Sequence, residues 1–307
     1  MSSSSITGDN GAAIQKRKKF MSDKAFSWLL ISPLVFMLIA FMLYPTLYSV
    51  ITSFTEYIGG SPVPQHYVGG DNYRAMLTES YMWASMVRTI KVLVICVVTE
   101  LVLGMCIALI LNRDFKGMNV IRGLCFMPLL ISPLAMSLMW YYLLSPDFGL
   151  FDVLLGRLGV STIQWFSKDM ALYTIMGMIV WQWLPFSTFV LLAGLKGLPK
   201  DQFEAAQVDG ASPFFTFRKL TLPTLKPLIM IITLLRVMWL IRTYDPLYGT
   251  TKGGMNTELF DLFVYRQVYV YSDFGRGTAI GVISLVLTLL LSFVLYRYLM
   301  KAMNANS

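Results

Sequence analysis

Long apolar stretches separated by short polar ones dominate the 307-residue chain. A helix needs about 20 mostly apolar residues to cross a bilayer. Six runs reach that length, at roughly 26–50, 92–111, 121–144, 171–195, 223–241 and 278–300. None alternates polar and apolar positions as a membrane strand does, so helices are predicted and not a barrel. Pro33, Pro45, Pro133 and Pro185 fall inside the runs, where neighbouring helices can satisfy the backbone groups they free. The expected fold class is all-α: a polytopic membrane protein with six transmembrane helices in one membrane domain over residues 26–303, after a tail over 1–25. The first run follows the basic cluster Lys16-Arg17-Lys18-Lys19 but is too long for a signal peptide and lacks a small-residue cleavage site. Residues 1–15 are rich in Ser and Gly and read as disordered.

Composition agrees. Apolar residues make up 56% of the chain and charged residues 14%, against about 25% charged in a soluble domain. Mean hydropathy is +0.62. The net charge of +8 does not indicate nucleic acid, because the basic residues flank apolar runs, where they orient helices in a bilayer. With the N-terminus placed in the cytoplasm, the inner segments carry 15 Lys and Arg and the outer segments 9. Both termini are therefore expected inside, with long outer loops after the first, third and fifth helices. Cys96, Cys106 and Cys125 lie in or beside apolar runs and read as buried packing thiols. His66 is the single histidine, so neither a histidine-based metal site nor a catalytic triad is expected.

The one long cytoplasmic segment, 196–222, carries the most local information. A short helix is predicted from about 200 to 209, with Pro199 before it and Asp201 and Glu204 at its positive end. Gly210 is placed to stop it in the left-handed conformation. Ser212 then caps a second turn, with Pro213 at its first position. Such a helix suits a knob that enters a partner's groove: Ala205 and Ala206 keep one surface small, and Glu204 and Asp209 offer acceptors. An interfacial helix lying on lipid headgroups is the alternative.

Glu204-Ala205-Ala206, Asp209-Gly210-Ala211 and Leu222-Pro223 resemble the signature loop of the permease subunits of binding-protein-dependent ABC importers, in the form of the sugar-importing, maltose-permease-like branch. Further stretches are similar to the same family: Val68–Tyr73, Leu111-Asn112-Arg113 with Phe115-Lys116-Gly117, Phe126-Met127-Pro128, Trp140, Ser145–Gly149, Tyr244-Asp245, Thr251–Gly254 and Asp273-Phe274-Gly275. Met255 stands where the family usually has proline. The resemblance implies a type I ABC importer transmembrane domain. In it, Glu204, Ala205, Ala206, Asp209, Gly210, Leu222 and Pro223 form the coupling loop on a cytoplasmic ATPase. It also implies a second, different permease subunit, two ATPase subunits and an extracytoplasmic solute-binding protein. The chain has no phosphate-binding loop of the Gly-x-x-x-x-Gly-Lys-Ser/Thr type. ATP and Mg are thus expected on the partner ATPase and no cofactor in this chain, which is not an enzyme. The inner membrane is the implied location.

Two charges fall mid-helix, Glu100 in the second and Arg236 in the fifth. Charges at that depth usually face a cavity or a partner. Arg236, Trp239 and Thr243 recur at spacings of three and four and share a face, and Arg242 sits near the same helix's outer end. The resemblance places the substrate site on this helix and on the fourth, at Trp181, Gln182, Trp183 and Ser187. The alternative is a Glu100–Arg236 structural ion pair with the tryptophans as packing aromatics. The expected function is one half of an ATP-driven pathway for a sugar. An anionic sugar or polyol phosphate is the runner-up, and an ion-coupled carrier ranks below it, because no internal repeat is visible.

Overall fold

The computed structural model describes residues 22–113, 116–146 and 148–304. Asp114, Phe115 and Asp147 lie outside them, as does most of the N-terminal tail. Internal contacts divide the chain after Tyr48. The first unit holds α1 (Asp23–Leu38) and, after one turn of π-helix at Ile39–Leu43, the start of α2 (Tyr44–Thr52). Pro33 and Pro45 sit within this helical stretch. The π-turn ends beside Pro45, whose missing N–H removes a bond the regular ladder would need.

The second unit begins at Ser49. A small ribbon, β1 (Thr55–Glu56) against β2 (His66–Tyr67), precedes α3 (Asp71–Thr78) and the long α4 (Ser80–Leu111). Next come α5 (Met118–Phe126), α6 (Pro133–Leu143), α7 (Leu150–Arg157) and α8 (Ala171–Lys196). The loop after α8 holds α9 (Lys200–Val208) and α10 (Pro213–Thr216), and α11 spans Leu222–Leu240. Two short helices, α12 (Asp245–Tyr248) and α13 (Phe260–Tyr265), lead to α14 (Phe274–Asn304). Among the described residues five helices are long and apolar enough to cross a membrane, and the α5–α6 pair makes a sixth if the bent pair is counted as one span.

The core is built on α4 against α8, with α11 packed on both. On α4 the buried positions Met82, Ser85, Thr89, Val92, Cys96, Glu100, Gly104, Ala108 and Leu111 recur every three or four residues, a single helical stripe. Cys96, Val97, Ile175, Met176, Ile179 and Leu240 fill one half of the interior. Met105, Ala108, Leu191, Leu195, Leu225 and Ile232 fill the other.

Several boundaries depart from the sequence expectation, each for a physical reason. The second span starts at Ser80 instead of 92, because the polar residues at its N-terminal end are satisfied inside the protein. Tyr81 donates to Glu258 Oε2 at 2.8 Å, Arg88 Nε donates to the Glu258 carbonyl at 2.8 Å, and Thr89 Oγ1 accepts from the Phe260 amide at 2.9 Å. Arg266 completes the cluster on Glu258 at 2.5 Å. The third span is no straight helix from 121 to 144. It breaks at Ile131-Ser132 and turns by 98° into α6, because Pro133 cannot continue the preceding helix. The fifth span begins earlier than 223, since one turn of π-helix at Phe217–Thr221 joins α10 to α11. The thiols also differ from expectation: Cys96 is buried, Cys125 half-buried and Cys106 exposed.

Asp273-Phe274-Gly275 ties the start of α14 to the segment before α3. The Phe274 amide donates to the Tyr57 carbonyl at 2.8 Å, and the rings of Tyr57 and Phe274 stack at 5.0 Å. A Cβ on Gly275 would lie 2.3 Å from the Thr55 carbonyl oxygen, so this backbone crossing admits glycine alone.

Breaking the Glu258 cluster should loosen the segment around α13. Glu258 is buried but Arg266 is 34% exposed, so the lost hydrogen bonds are expected to cost about 1–3 kcal/mol. Glu258→Ala is expected to lower the thermal midpoint of the detergent-purified protein accordingly. Arg276→Ala, which removes a half-exposed pair to Asp273 at 3.6 Å, is expected to cost no more than about 1 kcal/mol.

Candidate functional site

The α4 stripe that buries Cys96 and Gly104 also turns Glu100 toward α11, and the α11 stripe of Leu225, Ile232, Arg236 and Leu240 answers it. Arg236 Nε donates to Glu100 Oε2 at 2.6 Å and Nη2 to Oε1 at 2.7 Å. This is the bidentate fork that guanidinium and carboxylate form best. Both side chains are at most 1% exposed. The guanidinium carbon also lies 4.5 Å from the centre of the Trp183 ring, so an aromatic face closes the remaining side of the cation.

Around that anchor stands an aromatic face. The Trp183 and Trp239 rings are 5.0 Å apart, and Phe186 meets Trp239 edge-on at 5.2 Å. Trp239 is 40% exposed, while Trp183 and Phe186 are half-buried. Arg236 thus lies behind the indoles and positions them, and the rings carry the accessible surface. The helical face predicted through Thr243 is interrupted, because α11 ends at Leu240 and tight turns follow, with Arg242 and Thr243 amides on the Trp239 and Leu240 carbonyls. Thr243 is half-buried and Arg242 exposed beyond that end.

The four α8 candidates separate. Trp183 joins the Trp239 face. Trp181 packs edge-on against Trp140 of α6 at 5.4 Å. Gln182 is buried, and its Nε2 donates to the Ile131 carbonyl at 2.7 Å. It therefore holds the bend between α5 and α6, where the helical ladder has lapsed. Ser187 is buried against Gly104, whose Cβ position lies 3.2 Å from that of Ser187. Phe186 was not singled out from the sequence. Its signal was its spacing, one turn after Trp183 on the same helix.

At the other end of α8, α9 presents Glu204, Ala205 and Asp209 to the outside, with Ala206 half-buried. Val208 is 88% exposed, and Phe214 and Phe215 of α10 are 72% and 54% exposed. Gly210 takes φ +74°. The Ala211 amide reaches back to the Ala206 carbonyl at 2.9 Å and the Gly210 amide to Gln207 at 3.1 Å, the pairing of a left-handed helix stop. Ser212 Oγ accepts from the Phe215 amide at 3.3 Å, as its position before Pro213 predicts. Leu222 and Pro223 are exposed at the entry to α11.

Beyond the spans, Asp261 is half-buried. Burial holds its carboxyl above the usual carboxylate range; Arg242 pulls it down and Asp245 pushes it up. Among the described residues no three His, Cys, Asp or Glu side chains converge as a metal site.

A family model described as binding-protein-dependent transport system inner membrane component matches residues 100–305. A probable ABC transporter permease protein of Sinorhizobium fredii is 33% identical over 98% of each chain. The trehalose/maltose transport system permease of Thermococcus litoralis is 33% identical over 87% of this chain and 91% of its own. A sulfoquinovosyl glycerol transport system permease of Agrobacterium fabrum is 29% identical over 90% of this chain and 91% of its own. In fold, a chain of a bacterial alginate ABC transporter, solved in complex with an alginate pentasaccharide-bound periplasmic protein, superposes with a TM-score of 0.78 at 17% identity. It covers 89% of this chain and 93% of its own.

The pair at the centre of the site makes a double-variant test. Arg236→Gln leaves Glu100 buried without its partner and should cost about 3–5 kcal/mol, whereas Arg236→Gln with Glu100→Gln should recover most of it. Yield and thermal midpoint of the purified protein read both. Equal losses in the single and double variants would contradict a mutual pair.

Proposed function

The chain belongs to the family of binding-protein-dependent transport system inner membrane components, and from that premise we propose that it lines half of the pathway for an uncharged sugar or sugar derivative. It is a multi-pass membrane protein and a non-catalytic permease subunit of an ABC importer. The observation that carries the substrate class is the neutralised Arg236. Its charge is taken up by Glu100, so the accessible surface is the aromatic face of Trp183, Phe186 and Trp239. The apolar face of a pyranose stacks on such rings, and an ion would find no unpaired charge there. The name of the Thermococcus relative supports the same class.

A second reading, an anionic sugar, draws on Arg242, exposed just past the end of α11, since guanidinium suits planar oxyanions. The Agrobacterium relative's substrate name gives it some support. Thr243, Trp181, Gln182 and Ser187 are assigned to the pathway's surroundings: Gln182 and Ser187 set the geometry of α8, and Thr243 borders its outer end.

In this reading the coupling surface is α9 with the entry to α11. Glu204, Ala205, Ala206, Asp209, Gly210, Leu222 and Pro223 seat a cytoplasmic ATPase, and the exposed Val208, Phe214 and Phe215 supply the apolar contact that a short polar helix lacks. A different second permease completes the pathway, two ATPase subunits bind ATP and Mg, and a solute-binding protein delivers the sugar from outside. Both termini lie in the cytoplasm of a cell whose inner membrane holds the complex.

Uptake by proteoliposomes containing the whole transporter tests the substrate class. Labelled trehalose or maltose is expected to accumulate with ATP, ahead of carboxylated or sulfonated sugars; preference for the anions would favour the second reading. For coupling, Glu204→Lys is expected to leave stability within about 0.5 kcal/mol. It should cut binding-protein-stimulated ATP hydrolysis about tenfold, a loss of ~1.4 kcal/mol of coupling. Full stimulation in that variant would remove Glu204 from the interface.

A further inference from the structure

A cavity of about 420 Å³ opens between the end of α6, the segment before α8 and the turn after α12. Tyr141, Gln164, Phe166, Ser167, Thr250 and Thr251 are among the residues that line it, and among the described residues none of its lining side chains is charged. Its place in the chain separates it from the face described above. It lies beside the start of α8, whereas Trp183 is ~18 Å further along that helix and α9 follows its opposite end.

The lining has the chemistry of a polar but uncharged ligand site. Tyr141 and Phe166 set two rings 5.1 Å apart at 43°, giving aromatic faces that meet at an angle. The Tyr141 hydroxyl, the Gln164 amide and the Ser167 hydroxyl make no hydrogen bond to another described residue. Thr250 and Thr251 spend their protons or lone pairs on Pro246 and Thr257, which fixes the opposite wall. That wall is held in an uncommon backbone form, with Lys252, Met255 and Asn256 all at positive φ. Proline, with φ locked near −65°, could not occupy position 255 here. A volume of this size falls in the range of small-molecule pockets, and a few convergent polar groups on an apolar lining are their usual make-up.

We propose that this cavity is a second carbohydrate subsite, holding a neutral sugar unit at the end of α8 away from α9 before the sugar reaches the Trp183–Trp239 face. The inference rests on the sugar reading above and adds a binding place to it. Stacking on Tyr141 and Phe166 takes the apolar ring face. Gln164 donates to and accepts from two hydroxyls, and the Ser167 and Tyr141 hydroxyls take others. Among the described residues the lining offers a charged sugar no ionic partner.

The test uses the complete transporter in proteoliposomes, with trehalose and maltose as probes and the sugar-loaded binding protein below saturation. Gln164→Ala and Tyr141→Phe each delete one polar group without touching the core, and Ser167→Phe fills the cavity. The two deletions are each expected to lower uptake about fivefold, the worth of a lost hydrogen bond, and Ser167→Phe at least as much by blocking the cavity, with the affinity of loaded binding protein for the transporter unchanged. Unchanged uptake in all three variants would overturn the subsite while leaving the sugar reading intact. Weakened binding-protein affinity would also overturn it, by making the cavity a seat for a protein loop. A wild-type transporter that carries neither probe would overturn the sugar reading, and the subsite with it.

Discussion

Two opposite charges buried in the middle of a membrane domain tie α4 to α11, and most of the interior follows from that bond. Neither Glu100 nor Arg236 could remain at that depth alone. Their bidentate contact fixes the rotation of both helices about their axes, because a turn of either by one residue would part the fork. With α4 and α11 fixed, α8 has one way to pack. It sets Gly104 against Ser187, and Trp183 over the guanidinium. The aromatic face of Trp183, Phe186 and Trp239 is therefore a product of the ion pair: the charge is spent on positioning, and uncharged rings are left as the accessible surface.

The same economy recurs wherever the backbone departs from a helix. Irregular backbone at membrane depth persists only where protein satisfies it. The bend between α5 and α6 releases the Ile131 carbonyl, and Gln182 on α8 supplies the missing donor. The segment from Thr257 to Arg266 is seated on the N-terminal end of α4 by Tyr81, Arg88 and Thr89, with Glu258 at the centre. Each is a long-range contact between a polar side chain on one helix and a broken stretch of another. Together they give the polar residues inside these apolar runs a structural partner.

This pattern also separates what was legible in the sequence from what was not. The apolar runs and the α9 region were legible because their causes are local: a stripe of apolar positions, Pro199 ahead of α9, Gly210 to stop it and Ser212 to cap the next turn. The start of α4 at Ser80 was hidden, since Arg88 and Lys91 resemble loop residues until Glu258, 170 residues away, is placed beside Arg88. The break at Ile131-Ser132 was hidden for the converse reason. Pro133 inside an apolar run is tolerated in many membrane helices, and nothing nearby in sequence marks Gln182 as the group that holds a sharp bend open. Shared spacing placed Arg236 and Trp239 on one face, but a 3.6-residue repeat does not say which of them is covered. That depended on Glu100, on another helix.

The central claim is that cargo passes against the Trp183–Trp239 face while Arg236 stays behind it. Chemical protection at position 239 tests it most directly. In a background without the three native cysteines, Trp239→Cys in the assembled transporter is treated with a methanethiosulfonate reagent, with and without trehalose or maltose delivered by the binding protein. The account predicts modification that the transported sugar slows, and no modification of Arg236→Cys under the same conditions when Glu100→Gln accompanies it. Modification of the residue-239 thiol at the same rate with and without transported sugar, or a sugar-protected thiol at residue 236, would contradict it.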